Sequence, residues 1–574
     1  MTSQPGTVAF RAARDQLLAL SGDPDRAAAE FRWPDVGPAF NWARDWFDVL
    51  AEGNEDVALR IAEEDGSEAE YRFDELRLRS NRLGAWLREI GIGRGDVVML
   101  MLDNRVELWE AMLAIMKIGA VILPTSVVLG PDELADRVER AGARAVLAVA
   151  EDAQKFAAVP GDYLRVLVGD PGAEALPGWL PLGDAATASD APLDAGNATE
   201  DLALIYFTSG TTNLPKIVGH THRSYPVGHL STMYWLGIRP GDTHLVISSP
   251  GWGKHAWSSF FAPWHVGATI FVVNYARFDA QALVGHLDRA GVHTFCAPPT
   301  VWRLLIQDRL ERKPRNLREV VSAGEPLNPE VIARIKEWWG LEIRDGYGQT
   351  ETTAIIANSP GMPVRPGAMG KPLPGVRVAL VDPMTGERAE PGAEGEVCLE
   401  LDEEPLNLMA GYLGSAEATE RARSGGFFHT GDVAQADEDG YLTFIGRTDD
   451  IFKSSDYKVS PFEVESALIE HPAVTEAAVI GAPCDTRLNV TKAYVSLAPG
   501  WEPTEATALI VLRHARVTLP PYMRVRRVEF FELPKTSSGK IRRVELRERE
   551  VAAHQAGERL WGEWREEDYP GLKD

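Results

Sequence analysis

The sequence predicts an α/β protein: a large N-terminal domain of mostly parallel sheets flanked by helices, residues 1–446, then a small mobile C-terminal α+β domain, residues 447–574. Three observations carry that prediction. The chain has 574 residues, several times the usual domain size of about 100–200, so at least two cores are expected. Short β-branched runs alternate with helical periodicity over most of its length, which is the pattern of βαβ units around parallel sheets. After about Gly395 the alternation gives way to short strands and Gly-rich turns, and the tail carries a small α+β pattern of its own.

In chain order, residues 94–124 hold the pair Val97-Val98, a helical stretch at 107–117 and a second apolar run at 120–123, together one βαβ unit. Further strands are expected at 202–207, 244–248, 268–273, 293–296, 320–323 and 341–345, with helices at 280–290 and 329–338 between some of them. Residues 185–196, rich in Ala, Asp and Pro, read as a surface loop. Gly425-Gly426 and Asp439-Gly440 punctuate the short-stranded part. In the tail, Ser460-Pro461-Phe462-Glu463 is a capping box with Pro at the first helical position; it opens a helix to about Glu470, and strands follow at 477–480, 492–497 and 525–533.

Composition narrows the function. With 45% hydrophobic and 25% charged residues the chain has material for sizeable cores, and it is neither disordered nor collagen-like. A net charge of −25 repels a phosphate backbone, which argues against general nucleic-acid or anionic-membrane binding and requires a local basic site for any anionic ligand. Cys296, Cys398 and Cys484 lie far apart without C-x-x-C spacing, against a disulfide framework or a zinc cluster. The N-terminal segment lacks an apolar h-region and no apolar run reaches bilayer length. A soluble protein of the reducing cytoplasm, without integral membrane contact, is expected.

Four polar islands carry chemistry. After the strand at 202–207 comes Thr208-Ser209-Gly210-Thr211-Thr212-Asn213-Leu214-Pro215-Lys216, whose hydroxyls, Gly and cation suit a polyphosphate. It is not a Walker A loop, since Ile217 follows the Lys. Asp345-Gly346-Tyr347-Gly348-Gln349-Thr350-Glu351 joins an aromatic face, glycines, a hydroxyl and a carboxylate, a set able to stack a base and hold a metal. Gly431-Asp432 and Gly446-Arg447-Thr448-Asp449-Asp450 place an acid able to accept from ribose hydroxyls near an Arg. Pro534-Lys535-Thr536-Ser537-Ser538-Gly539-Lys540 puts a Lys on a loop near the C-terminus, amid ten Lys/Arg and three Glu between residues 511 and 547. Taken singly, each island reads equally well as a polar turn, a solvated loop or a tail. There is no G-x-S-x-G elbow and no H-E-x-x-H, and His220-Thr221-His222 reads as local polar structure.

Together, in this order and spacing, the islands resemble the adenylate-forming superfamily of acyl-CoA synthetases, luciferases and peptide-synthetase adenylation domains over nearly the whole chain. Phe40-Asn41-Trp42-Ala43-Arg44-Asp45 and Lys453-Ser454-Ser455-Asp456-Tyr457-Lys458 look most like the medium-chain and aryl acyl-CoA synthetase branch. The resemblance implies a phosphate loop of Thr208, Ser209, Gly210, Thr211, Thr212 and Lys216, and an adenine site of Gly324, Glu325, Pro326, Asp345, Gly346 and Tyr347. It further implies that Thr350 and Glu351 serve phosphate and Mg²⁺, that Asp432 and Arg447 bind ribose, and that Asp449 is the hinge. Lys540 would bridge carboxylate and α-phosphate, and Trp252, Gly253, Lys254 and His255 would wall the acyl pocket.

The implied function is ATP-dependent activation of a medium-chain or aromatic carboxylic acid to an acyl-adenylate and transfer to CoA, releasing AMP and pyrophosphate. Chemistry independent of the resemblance agrees: two anions repel, so the reaction needs a cation between them and charge neutralisation of the departing pyrophosphate. Three departures from relatives bear on the acyl and CoA sides, namely Ser249 where Asp is frequent, and Asp456 and Leu488 where Gly is frequent. Alternatives are a carrier-protein thiol or nitrite as acceptor, and, from another class, a non-catalytic nucleotide-binding protein. The identity of the acid and any homo-oligomer are left open by the sequence.

Overall fold

The computed structural model describes residues 4–169, 176–208, 215–454, 457–484, 487–535 and 541–572. The expected βαβ unit is present as the strand Val97–Met101, the helix Val106–Lys117 and the strand Val121–Pro124, with Val97 and Val121 in parallel register. Its helix is apolar almost all round and accordingly buried. Lys117, at the helix end, is fully buried and held by Asp48 at 2.6 Å, Ser80 at 2.8 Å and Asn81 at 2.9 Å, as a buried cation requires.

This unit sits in an eight-stranded sheet whose strands from Leu202–Thr208 through Val121–Pro124, Val97–Met101, Ala143–Val149 and Leu164–Val168 to Leu180–Pro181 are parallel, with Lys216–Thr221 and Gly411–Leu413 added antiparallel at one edge. A second, thirteen-stranded sheet has a parallel block: Arg344–Gly348, Glu319–Ala323, Thr294–Ala297, Thr243–Val246, Thr269–Val273 and Val57–Ala62. From Ala354 onward the same sheet continues as an antiparallel arm through Ala354–Ala357, Ala368–Pro372, Leu442–Arg447, Phe427–Ala436, Glu394–Glu400 and Val378–Val381.

One expected strand is displaced. The apolar run suggested residues 341–345, but Gly340 ends the preceding helix in the left-handed conformation and the strand occupies Arg344–Gly348. Two glycines in a strand are unfavourable by propensity. Packing overrides it: a Cβ on Gly346 would lie 2.4 Å from the Trp235 ring, and one on Gly348 2.1 Å from the Thr353 carbonyl oxygen.

The C-terminal part has its own core around a four-stranded sheet, Val474–Cys484, Leu488–Leu497, Arg527–Phe530 and Glu563–Arg565, with the helices Pro461–Ile469, Glu505–Thr518 and Arg543–Ala556. Ser460 caps the first of these helices by accepting from the Glu463 amide at 3.2 Å. No helix among the described residues is long and apolar enough to cross a membrane.

Candidate active site

The first island lies at the base of a hairpin in which Thr208 faces Lys216 in antiparallel register. Ser209, Gly210, Thr211, Thr212 and Asn213 lie outside the described residues, as do Asp456 and Lys540. Lys216 Nζ stands 4.4 Å over the ring of Tyr412, and the Tyr412 hydroxyl donates to Glu351 Oε1 at 2.9 Å. Burial and the Glu351 charge push the Tyr412 phenol well up, so it remains a donor. A cation, a phenol and a carboxylate from three distant segments are thus brought together.

Thr350 is fixed from behind. His220 Nε2 lies 2.7 Å from the Thr350 carbonyl oxygen and its Nδ1 3.0 Å from Ser224 Oγ. Burial lowers the His220 ring to about 4, so it is neutral at pH 7 and its Nε2–H donates to the carbonyl. The polar reading of His220 is met, and the ring also positions Thr350, a task that no local motif signals.

Ala323 and Gly346 pair in parallel, which sets Gly324-Glu325-Pro326 beside Asp345-Gly346-Tyr347 at the carboxyl ends of adjacent parallel strands, where open α/β sheets bind ligands. Gly324 has φ +106°, a conformation that favours Gly. Asp345 is buried, and burial raises its carboxyl to about 8 against a partly offsetting Gly346 amide at 3.0 Å. The folded chain therefore keeps a proton that the unfolded chain loses near pH 4, so this group's contribution to stability falls as pH rises from about 4 to about 8. Asp345→Asn should flatten that part of the profile, read as urea midpoints at pH 5 and pH 8; an unchanged slope would refute the assignment.

Asp432 ties the second island to the third. One carboxylate oxygen, Oδ2, accepts from Tyr347 Oη at 2.6 Å and Gln349 Nε2 at 2.6 Å, while Oδ1 faces Arg447 Nη1 at 3.3 Å. Asp432 and Arg447 are directly opposite in register. Burial opposes the Arg447 charge, but Asp432 and Asp449 outweigh it and hold the guanidinium above its usual range. Asp432→Ala would leave the Tyr347 hydroxyl without this acceptor, at a cost of about 1–3 kcal/mol, while Gln349 Nε2 keeps the Thr430 carbonyl at 2.8 Å. If the carboxylate also takes ribose hydroxyls, KM for ATP should rise roughly 10- to 100-fold, the equivalent of one charged hydrogen bond. Steady-state kinetics with ATP varied checks this, and an unchanged KM would remove Asp432 from the nucleotide site.

Gly253 completes the convergence, since a Cβ there would lie 3.0 Å from the Tyr225 hydroxyl and 3.7 Å from Thr350 Oγ1. Lys254 Nζ donates to the Ala323 carbonyl at 2.9 Å, at the entrance to Gly324. Trp252 precedes the short helix Gly253–Ala256 as its N-cap. His255 is turned elsewhere: its Nε2 lies 3.2 Å from Asn104 Oδ1 and its ring 5.6 Å from that of Trp109. Ser249 Oγ donates to the Pro250 carbonyl at 3.2 Å. Leu488 has φ +64°, the left-handed region in which Gly is the unstrained residue, and its side chain is exposed.

Tyr412 and Tyr225 were not among the residues expected from sequence, and Gln349 appeared there only as part of its island. Tyr412 sits on the three-residue strand Gly411–Leu413 outside every motif, so only its pairing with Lys216–Thr221 reveals it.

Comparison with known proteins accords with this geometry. Residues 48–413 match the model of the AMP-binding enzyme family, and residues 463–540 that of the AMP-binding enzyme C-terminal domain. A 4-hydroxybutyrate–CoA ligase of Metallosphaera sedula is 42% identical over 537 residues, covering 90% of this chain and 92% of the relative. The mitochondrial acyl-coenzyme A synthetase ACSM3 of Mus musculus is 38% identical over 89% of this chain and 90% of its own. Among solved structures, the anthranilate CoA ligase AuaEII in complex with anthranoyl-AMP superposes with a TM-score of 0.81 at 30% identity, covering 90% of this chain and 98% of that one. A Brucella canis acyl-CoA synthetase gives a TM-score of 0.72 at 35% identity over 92% and 99%.

Proposed function

The chain belongs to the AMP-binding enzyme family, and from that premise we propose how its own residues activate a carboxylic acid with ATP and pass the acyl group to CoA, with release of AMP and pyrophosphate. The observation that carries the reading is the convergence of Lys216, Glu351, Tyr347 and Asp432 on the carboxyl ends of the parallel strands. Adenine lies along Gly324–Pro326 and Asp345–Tyr347, with the ribose hydroxyls on Asp432 and Arg447. Thr208, Lys216 and Thr350 hold phosphate oxygens, with Ser209, Gly210, Thr211 and Thr212 completing that loop. Lys540 joins the acid's carboxylate to the α-phosphate.

Glu351 suits Mg²⁺, a hard cation that takes oxygen ligands: Oε1 is oriented by Tyr412, and among the described residues Oε2 has no hydrogen-bond partner. Bound there, Mg²⁺ would neutralise charge on the departing pyrophosphate. The acyl chain runs past Trp252, Gly253 and Lys254, with His255 anchoring that wall to Asn104. The name of the anthranilate CoA ligase supports the aromatic alternative of a medium-chain or aromatic acid, and the buried thiols of Cys296 and Cys398 suit a reducing compartment such as the cytoplasm.

Residues 1–446 form the adenylating body and residues 447–574 the moving one, joined through Arg447, which ends the sheet strand Leu442–Arg447. Asp449 sits between them: it pairs with Arg447 of the sheet at 3.0 Å, whereas the next residue, Asp450, pairs with Arg547 of the C-terminal helix Arg543–Ala556 at 2.5 Å.

The test is mass spectrometry of products from ATP, Mg²⁺ and a panel of aliphatic and aromatic acids, with CoA, a carrier protein, nitrite or no acceptor. An acyl-CoA mass together with CoA-stimulated AMP formation is expected. AMP formed equally with and without CoA, with a diazo product from nitrite and an amino-aryl acid, would replace the ligase reading; nucleotide binding that never yields AMP would remove catalysis altogether.

A further inference from the structure

We propose that Glu396, Cys398 and His429, on the antiparallel arm behind Asp432, form a binding site for a divalent transition metal of the zinc class. Glu396 and Cys398 lie on the strand Glu394–Glu400, and His429 is directly opposite Cys398 on Phe427–Ala436. His429 Nδ1 is 3.5 Å from Cys398 Sγ and 2.9 Å from Glu396 Oε2, and the three donor atoms all lie within 4.8 Å of one another. A tetrahedral zinc with bonds of about 2.3 Å to sulfur and about 2.0–2.1 Å to nitrogen and oxygen has a sulfur–nitrogen edge of about 3.6 Å and a nitrogen–oxygen edge of about 3.4 Å. The first edge is already in place, and the second needs a small opening.

His429 Nε2 faces the Ser424 carbonyl oxygen at 3.3 Å, while Nδ1 faces a carboxylate oxygen and a sulfur. A metal on Nδ1 leaves Nε2–H to donate to Ser424, the usual outer partner of a metal-bound histidine. Glu396 has an outer partner as well: its Oε1 accepts from the Gly431 amide at 2.8 Å.

Burial and Glu396 push the Cys398 thiol well up, so the metal-free site holds S–H, and binding M²⁺ forms the S–M bond with release of that proton to solvent. His429, whose side chain is 24% exposed, opens the site to solvent. The soft sulfur separates this site from the oxygen set at Glu351.

The experiment titrates metal-free full-length protein with Co²⁺ alone, then displaces it with Zn²⁺. One equivalent of a thiolate-to-cobalt charge-transfer band is expected. Cys398→Ser should abolish the band, His429→Gln should raise the Co²⁺ dissociation constant at least ~10-fold, the lower bound for loss of even an outer partner, and Cys484→Ser should leave the band intact. X-ray absorption of zinc-loaded wild-type protein should show one sulfur neighbour with nitrogen or oxygen, a reading that stands even if Cys398→Ser does not fold. No charge-transfer band, a band that persists in Cys398→Ser, or zinc without a sulfur neighbour overturns the proposal.

Discussion

Lys540→Ala should lower acid-dependent pyrophosphate release by roughly 10²–10³-fold, the loss seen when one preorganised charge-stabilising donor is removed, while thioester formation from supplied acyl-adenylate survives. The carboxylate that attacks and the phosphate that receives it are both anions, so a cation between them is worth most in the adenylation transition state. Lys535 is no substitute, because both oxygens of Glu476 hold its ammonium, at 3.0 and 2.7 Å. Lys535 and Ile541 pair as an antiparallel bridge and the Arg542 amide donates to the Pro534 carbonyl at 2.8 Å, so the described ends of the segment are pinned together. Pyrophosphate release measured with and without acid decides the matter, with Lys535→Ala as the control of small effect. Release at the wild-type rate in Lys540→Ala would take this residue out of the chemistry.

Asp449→Pro should change the ratio of the two half-reactions by roughly 10- to 100-fold, which corresponds to about 1–3 kcal/mol of backbone strain placed on one orientation only. The turn accepts two amides on one carbonyl, since both Asp450 N and Ile451 N donate to Arg447 O. Proline at 449 disfavours the helical backbone of Thr448 that such a turn needs, so it biases the molecule away from the orientation seen here. It also deletes the Asp449 pair with Arg447, which Asp449→Ala deletes alone. Pyrophosphate release and single-turnover thioester formation from supplied adenylate, measured on both variants, separate the effects. Equal losses in the two half-reactions of Asp449→Pro would remove the hinge from this position.

The sequence was legible where local chemistry repeats. Val97–Met101, Val106–Lys117 and Val121–Pro124 follow from apolar periodicity, and the helix Pro461–Ile469 from Ser460, Pro461 and Glu463. The antiparallel arm between Ala354 and Glu400 was not, because its strands are short and carry Gly and Pro, as in Ala368–Pro372. The site divides in the same way. Glu351 and Asp432 stand in recognisable islands, as does Gln349, which reaches Asp432 across 83 residues, but Tyr412, which reaches Glu351 across 61, does not. Such partners are chosen by strand pairing, which no local window contains.

The two neighbouring carboxylates at the turn carry a consequence for ionic strength. Arg447 and Asp449 are 42% and 30% exposed, whereas Asp450 is 15% exposed against Arg543 and Arg547. Dissolved salt weakens exposed pairs first, and at 0.1 M the screening length is already about 10 Å. Added electrolyte therefore loosens the grip of the large body on the turn before it loosens that of the small one. With Asp449 as the proposed hinge, the ease of that motion is set in part by the medium.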